Sequence, residues 1–380
     1  MATLPPMAAP DPTLDALRVE VERRAALEPP RGYLGMSSIG TECARRLWYQ
    51  FRWADREAFG CDTLWNFEDG HRSEDVMAER LRMVPGITLR TIDPRTGQQF
   101  GFSDLGGHFR GHADGLITGL KQAPTTLHVW EGKAVNEKKF AKLVQIKAEA
   151  GEKNALRLWD PIYYAQAILY MAYAEAPRHY LTACTPGGRD LVGVRTDTDL
   201  AEASRLREKA ERIITASEPP QGISTDPGWY ECKWCPFHAI CHGGQLPAVN
   251  HRTSVHATPE LDGDGRWSCA KCGPVLTRQQ QAAPCPHHLY IPALVTHALG
   301  CEQVDASEAE NWIEYRLPDG RTFRNGSSPG CLTSAELRAG GLHAITLAAD
   351  PLVASLRAEG ARITQAGPLA PPNLFGGKAA

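Results

Sequence analysis

No Gly-x4-Gly-Lys-Ser/Thr phosphate loop occurs in this chain, so it carries no helicase-type motor and is expected to work without ATP or beside a separate motor. No apolar run is long enough to span a bilayer. The opening residues 1–10, rich in Pro and Ala, lack the basic start and sustained apolar stretch of a secretory signal. Neither charge dominates: 41 Lys and Arg stand against 44 Asp and Glu, a net of −3. That excludes a global attraction to polyanions and makes nucleic-acid affinity a matter of local patches. Internal repeats are not evident either. Cysteine, by contrast, is plentiful, with 11 residues. Their Cys-x2-Cys pairs in a long chain without a signal segment suit metal ligation in a reducing cytoplasm better than a secreted disulfide framework.

Two short strand-like segments deliver chemistry. Asp114 lies in the run from Gly111 to Ile117, and Glu131-Gly132-Lys133 ends the apolar stretch Leu127–Trp130. Side chains alternate along a strand, so Glu131 and Lys133 share a face. If residues 116–118 pair with 127–129 as a hairpin closed by the loop Gly119–Pro124, Asp114 reaches that face too. A carboxylate pair holds a hard divalent cation, and an ammonium beside it orients water or neutralises charge developing on phosphate. Upstream, residues 72–81 read as a helix with His71 in its first turn, a third potential ligand. Downstream, residues 163–170 read as a helix with Gln166 and Tyr170 at i and i+4. Cys232, Cys235 and Cys241 form a compact thiol cluster that needs a fourth ligand. Cys43, within the helix-like segment 37–53, is available for it. Thiolates suit an iron–sulfur cluster, or zinc with His238 or His242 in place of Cys43.

These motifs, in this order, resemble the RecB-type branch of the PD-(D/E)XK nucleases: Ser37-Ser38 with Cys43, Arg45 and Arg46, then Gly70-His71, Gly111 with Asp114, Glu131 with Lys133, Gln166 with Tyr170, and the three clustered cysteines. More narrowly, the chain is similar to the iron–sulfur members, the CRISPR-associated RecB-like exonucleases and the AddB nuclease-domain type, over residues 32 to 243. The resemblance implies an α/β restriction-endonuclease-like mixed sheet flanked by helices. It implies Mg2+ or Mn2+ held by His71, Asp114, Glu131 and the carbonyl of Gly132, with Lys133 activating water and Gln166 and Tyr170 lining a DNA channel. It further implies a 4Fe-4S cluster on Cys43, Cys232, Cys235 and Cys241. The expected activity is hydrolysis of DNA at single strands or ends, in recombination, repair or mobile-element processing, with recombination, repair or replication proteins as partners. The alternative is an adaptor that binds DNA without cutting it.

Lys138, Lys139 and Lys142 lie in a basic stretch from Lys133 to Arg157, at the end of the Glu131 strand, and are expected to track a DNA backbone. Residues 1–31 read as a disordered start and a leading helix capped by Thr13, 32–243 as the nuclease domain, and 244–265 as a linker by composition. Residues 266–365 read as a small accessory module, and 366–380, with Leu374 and Phe375, as a flexible tail. In that module Cys269, Cys272 and Cys285 have zinc-ribbon spacing, with His287 or His288 to complete a Zn2+ site; His288 is taken as the ligand.

Overall fold

The computed structural model describes residues 11–363. The first ten residues of the expected disordered start and the tail 366–380 lie outside the described residues. The chain divides into two compact units, one of residues up to Glu42 and Arg56–Ile214, the other of Cys43–Asp55 and Thr215 onward. Both are mixed α/β, with several sheets flanked by helices.

In the first unit the leading helix, α1 (Pro12–Leu27), is capped by Asp11 rather than Thr13, because the Asp11 side chain reaches the amides of Thr13 and Leu14. The central sheet holds β1 (Thr88–Arg90), β2 (Gly115–Thr118), β3 (His128–Ala134), β4 (Arg178–Cys184) and β5 (Leu191–Asp197), neighbours in that order. The β2–β3 hairpin pairs Leu116 with Val129, and β3–β4 is the parallel step of the sheet. A parallel step demands a crossover, which the chain supplies as three helices. α2 (Cys61–Arg82) precedes the sheet, and the crossover holds α3 (Glu137–Ala150), α4 (Glu152–Trp159) and α5 (Pro161–Tyr173). Alternation along the strands then assigns the two faces. Trp130, Ile117 and Leu89 pack with Met77 and Ala78 of α2, whereas Leu181, Ala183 and Val194 pack with Leu143, Leu156, Trp159 and Ala167 of the crossover. Thus β3 points its odd residues, Glu131 and Lys133, toward the crossover helices. It turns its even ones, Trp130 and Gly132, toward α2.

α5 starts sharply because Asp160 accepts from the amides of Ile162 and Tyr163 and Pro161 occupies its first turn. Its residues 165–171 are all buried, Gln166 and Tyr170 among them. α2 is longer than the sequence suggests. The expected helix has His71 in its first turn, yet it begins at Cys61 and runs through Gly70. A mid-helix glycine costs about 1 kcal/mol relative to alanine, which packing of Met77 and Ala78 on the sheet offsets.

In the second unit Cys43 is the N-cap of a helix, Ala44–Phe51, shorter than the expected helix 37–53; of that span, residues 37 and 38 belong to a short 3-10 turn, Met36–Ser38, in the first unit. A three-stranded antiparallel sheet, Glu302–Ser307, Trp312–Arg316 and Thr322–Gly326, is followed by the helix Ser334–Ala348, which Thr333 and Glu336 cap reciprocally. The stretch 244–265 is not a linker. Asn250, His251, Arg252, Thr253 and Ser254 are buried, and Ala257–Pro259 forms a strand with Trp267–Cys269. The polar side chains that suggest a linker are spent on backbone partners. Asn250 Nδ2 donates to Trp53 O at 2.9 Å and Arg252 Nη1 to Phe51 O at 2.7 Å, while Ala248 N donates to Ala54 O at 2.6 Å. The segment therefore docks on the carboxyl end of the Ala44–Phe51 helix. The expected nuclease span 32–243 is divided accordingly, with 43–55 and 215–243 in the second unit.

Candidate active site and cysteine clusters

The β2–β3 hairpin brings Asp114, Glu131 and Lys133 together. Gly132 N donates to Asp114 Oδ2 at 3.0 Å, and Lys133 Nζ lies 2.7 Å from Glu131 Oε1 and 3.8 Å from Asp114 Oδ2. Glu131 is 3% exposed, and its second oxygen, Oε2, is buried with no hydrogen-bond partner among the described residues. A buried carboxylate oxygen left open in this way is an acceptor waiting for a cation or a donor.

Glu74, which sequence reasoning passed over as a ligand, joins this group from α2. Gly132 makes the approach possible: a Cβ there would sit 2.9 Å from Met77 Cε and 3.3 Å from Glu74 Cγ. Burial first, then the charge of Asp114, pushes the Glu74 carboxyl up, while Lys133 opposes the shift. Glu131 is raised for the same reasons, burial ahead of Asp114. Burial works against the Lys133 ammonium, but the charges of Glu131 and Asp114 outweigh it and hold the group protonated. His71 stays exposed on the same helix. The place of Glu74 one turn before the buried Met77 on the same helix is the sequence signal that could have proposed it.

Gln166 and Tyr170 stand behind the carboxylates. Gln166 Nε2 donates to Glu131 Oε1 at 2.5 Å. Tyr170 is 2% exposed, its ring is seated where a Cβ on Gly111 would meet it at 2.5 Å, and its hydroxyl accepts from His112 N at 3.2 Å. Tyr170, expected to line a DNA channel, is enclosed within the first unit. Among the lysines, Lys139 is also committed, 2.7 Å from Asp160 Oδ2 and 4.6 Å above the Tyr163 ring. Lys138 and Lys142 remain exposed along an open depression shared with Asn136, Gln145 and Trp159.

Within the second unit, Cys43, Cys232, Cys235 and Cys241 line one cavity together with Arg45, Arg46, Tyr49 and His242. Arg45 Nη1 is 3.7 Å from Cys241 Sγ. Burial, then the neighbouring Cys241 and Cys43, pushes the Cys232 thiol up. A second donor group in the same unit has all its ligand atoms within 4.8 Å of one another. It comprises Cys269, Cys272, Cys285 and His251. His288, the expected fourth member, is elsewhere engaged: Nδ1 lies 2.8 Å from Ser334 Oγ and Nε2 3.2 Å from Thr253 Oγ1. The residue that joins the three cysteines sits in the stretch whose composition suggested a linker.

No known family profile and no curated protein matches this chain. Among solved structures it is similar to SSO0001, with 18% identity over 60% of this chain and 96% of that one at a TM-score of 0.33. It is also similar to LHK-Exo in complex with dAMP, with 15% identity over 48% of this chain and 86% of that one at a TM-score of 0.34. LHK-Exo, an alkaline exonuclease from Laribacter hongkongensis, matches again with 15% identity over 48% and 87% of the two chains at a TM-score of 0.33. Likeness at this level does not bear on what the chain does. Among the described residues, no single helix is long and apolar enough to cross a membrane.

Proposed function

We propose that the chain is a metal-dependent deoxyribonuclease of the PD-(D/E)XK type, hydrolysing phosphodiester bonds at single strands or DNA ends. The observation that carries this reading is Glu131: a buried carboxylate with one oxygen open, set beside Asp114, Glu74 and a protonated lysine. The donors are hard oxygens with a surplus of negative charge, which fits Mg2+ or Mn2+. Such an ion, when bound, polarises the phosphate and acidifies a water.

The protein's own groups do the rest. Gly132 N–H holds Asp114 in place, and Gln166 and Lys133 together fix the rotation of Glu131 by sharing its Oε1. The carboxylates around Lys133 favour its protonated form. As a donor it can orient a water or neutralise charge on a phosphate oxygen. Lys138 and Lys142 offer charge for a strand's backbone.

The Cys43, Cys232, Cys235 and Cys241 cavity supports a 4Fe-4S cluster. Four thiols lining one cavity offer the all-thiolate ligation that such a cluster takes, with Cys43 as the fourth ligand. Its structural effect is to tie the two chain segments of the second unit together, worth on the order of several kcal/mol in the chain-entropy account of a long cross-link.

Digestion of end-labelled linear and closed circular DNA with Mg2+ or Mn2+, using anaerobically purified protein, tests the reading. Release of nucleotides from linear ends with circles intact is the expected result. Inertness on every substrate with DNA binding retained would favour a non-cleaving adaptor.

A further inference from the structure

We infer that His251, Cys269, Cys272 and Cys285 hold a structural zinc ion, with His251 as the fourth ligand. The four donor atoms all lie within 4.8 Å of one another, and Cys272 Sγ is 3.4 Å from Cys285 Sγ. Three thiolates and one imidazole at such separations form a closed tetrahedral set suited to zinc.

His251 supplies the independent observation. It is 4% exposed, its Nδ1 lies 3.1 Å from Ala283 O, and its Nε2 is buried with no partner among the described residues. A carbonyl only accepts, so Nδ1 carries the proton and Nε2 presents its lone pair. This is the arrangement of a metal-ligating histidine, in which the second ring nitrogen fixes the tautomer through a backbone carbonyl. His288 cannot play that part while Ser334 and Thr253 engage both of its nitrogens.

The chain around His251 shows what the ion would secure. Asn250 bonds Trp53 O, and Arg252 bonds Phe51 O with its guanidinium 3.6 Å from the Trp53 ring centre. The ligand therefore belongs to the segment that docks on the end of the Ala44–Phe51 helix. The β-strand Trp267–Cys269 pairs with Ala257–Pro259, which continues that segment. Zinc would fasten these short elements, too small to bury a core of their own, into the second unit.

The test is elemental analysis of the full chain after dialysis against a weak chelator. The wild type and His288→Gln are expected to keep one zinc per chain, and His251→Ala to bind it roughly ten-fold or more weakly in competition with a chromophoric chelator. Because His251→Ala could fail to fold, His251→Cys is the second variant. It should retain zinc, and after cobalt substitution it should show stronger thiolate-to-cobalt absorption than the wild type, since a fourth sulfur replaces the nitrogen. An unchanged cobalt spectrum in His251→Cys, loss of zinc in His288→Gln with retention in His251→Ala, or reduced wild type that takes up no zinc would each overturn the assignment.

Discussion

Gln166 Nε2 and Glu131 Oε1 lie 2.5 Å apart, joining the middle of an apolar buried helix to the strand that carries the candidate catalytic carboxylate. The bond leaves Glu131 Oε2 as the open atom and sets where it points. Gln166 is therefore a positioning residue. Gln166→Ala is expected to slow DNA cleavage by about 10- to 100-fold and to raise the Mn2+ concentration needed for half-maximal rate. Metal titrations of the cleavage rate check this, and a variant whose rate and metal requirement both match wild type would contradict it.

Glu74 and His71 occupy the same helix and separate cleanly by substitution. Glu74→Gln removes a charge coupled to Asp114 and Glu131, so it should cut activity by about 10-fold or more and weaken Mn2+ binding measured by calorimetry. His71→Ala, at an exposed position, should stay within a few-fold of wild type. The reverse ranking would return the ligand role to His71.

His179, 1% exposed on β4, is held neutral by burial, its pKa brought down to about 3 from an unfolded value of 6.5. Its contribution to stability is present above the unfolded value and is lost as pH falls from there toward the folded one. Each such histidine gives a slope of about 1.4 kcal/mol per pH unit within that window. Urea unfolding at about pH 7 and about pH 5 should show a smaller loss of stability for His179→Gln than for wild type. Equal losses would show that this imidazole is not what the acid attacks.

Much of this arrangement was legible in the sequence because it depends on local rules. Period-two alternation and the short Gly119–Pro124 loop foretold the β2–β3 hairpin, with Leu116 opposite Val129 and Asp114 beside Glu131. The 3.6-residue repeat placed Gln166 and Tyr170 on one helix. What stayed hidden depends on packing. Tyr170 is buried because Gly111 leaves room for its ring, and Glu74 approaches because Gly132 leaves room for α2, neither of which a spacing pattern records. His251 was lost for a related reason. The polar residues of 250–254 look like a linker until their partners, the carbonyls of Phe51 and Trp53 some 200 residues earlier, are in view.

Cleavage and binding measured side by side on the same labelled single-stranded DNA, for wild type, Glu131→Ala and Lys133→Ala with Mn2+, test the central claim most directly. Both substitutions remove groups set on the metal and the reacting water, so cleavage is expected to fall by roughly 100-fold or more while DNA affinity stays within a few-fold. Cleavage by either variant within a few-fold of wild type would contradict the account.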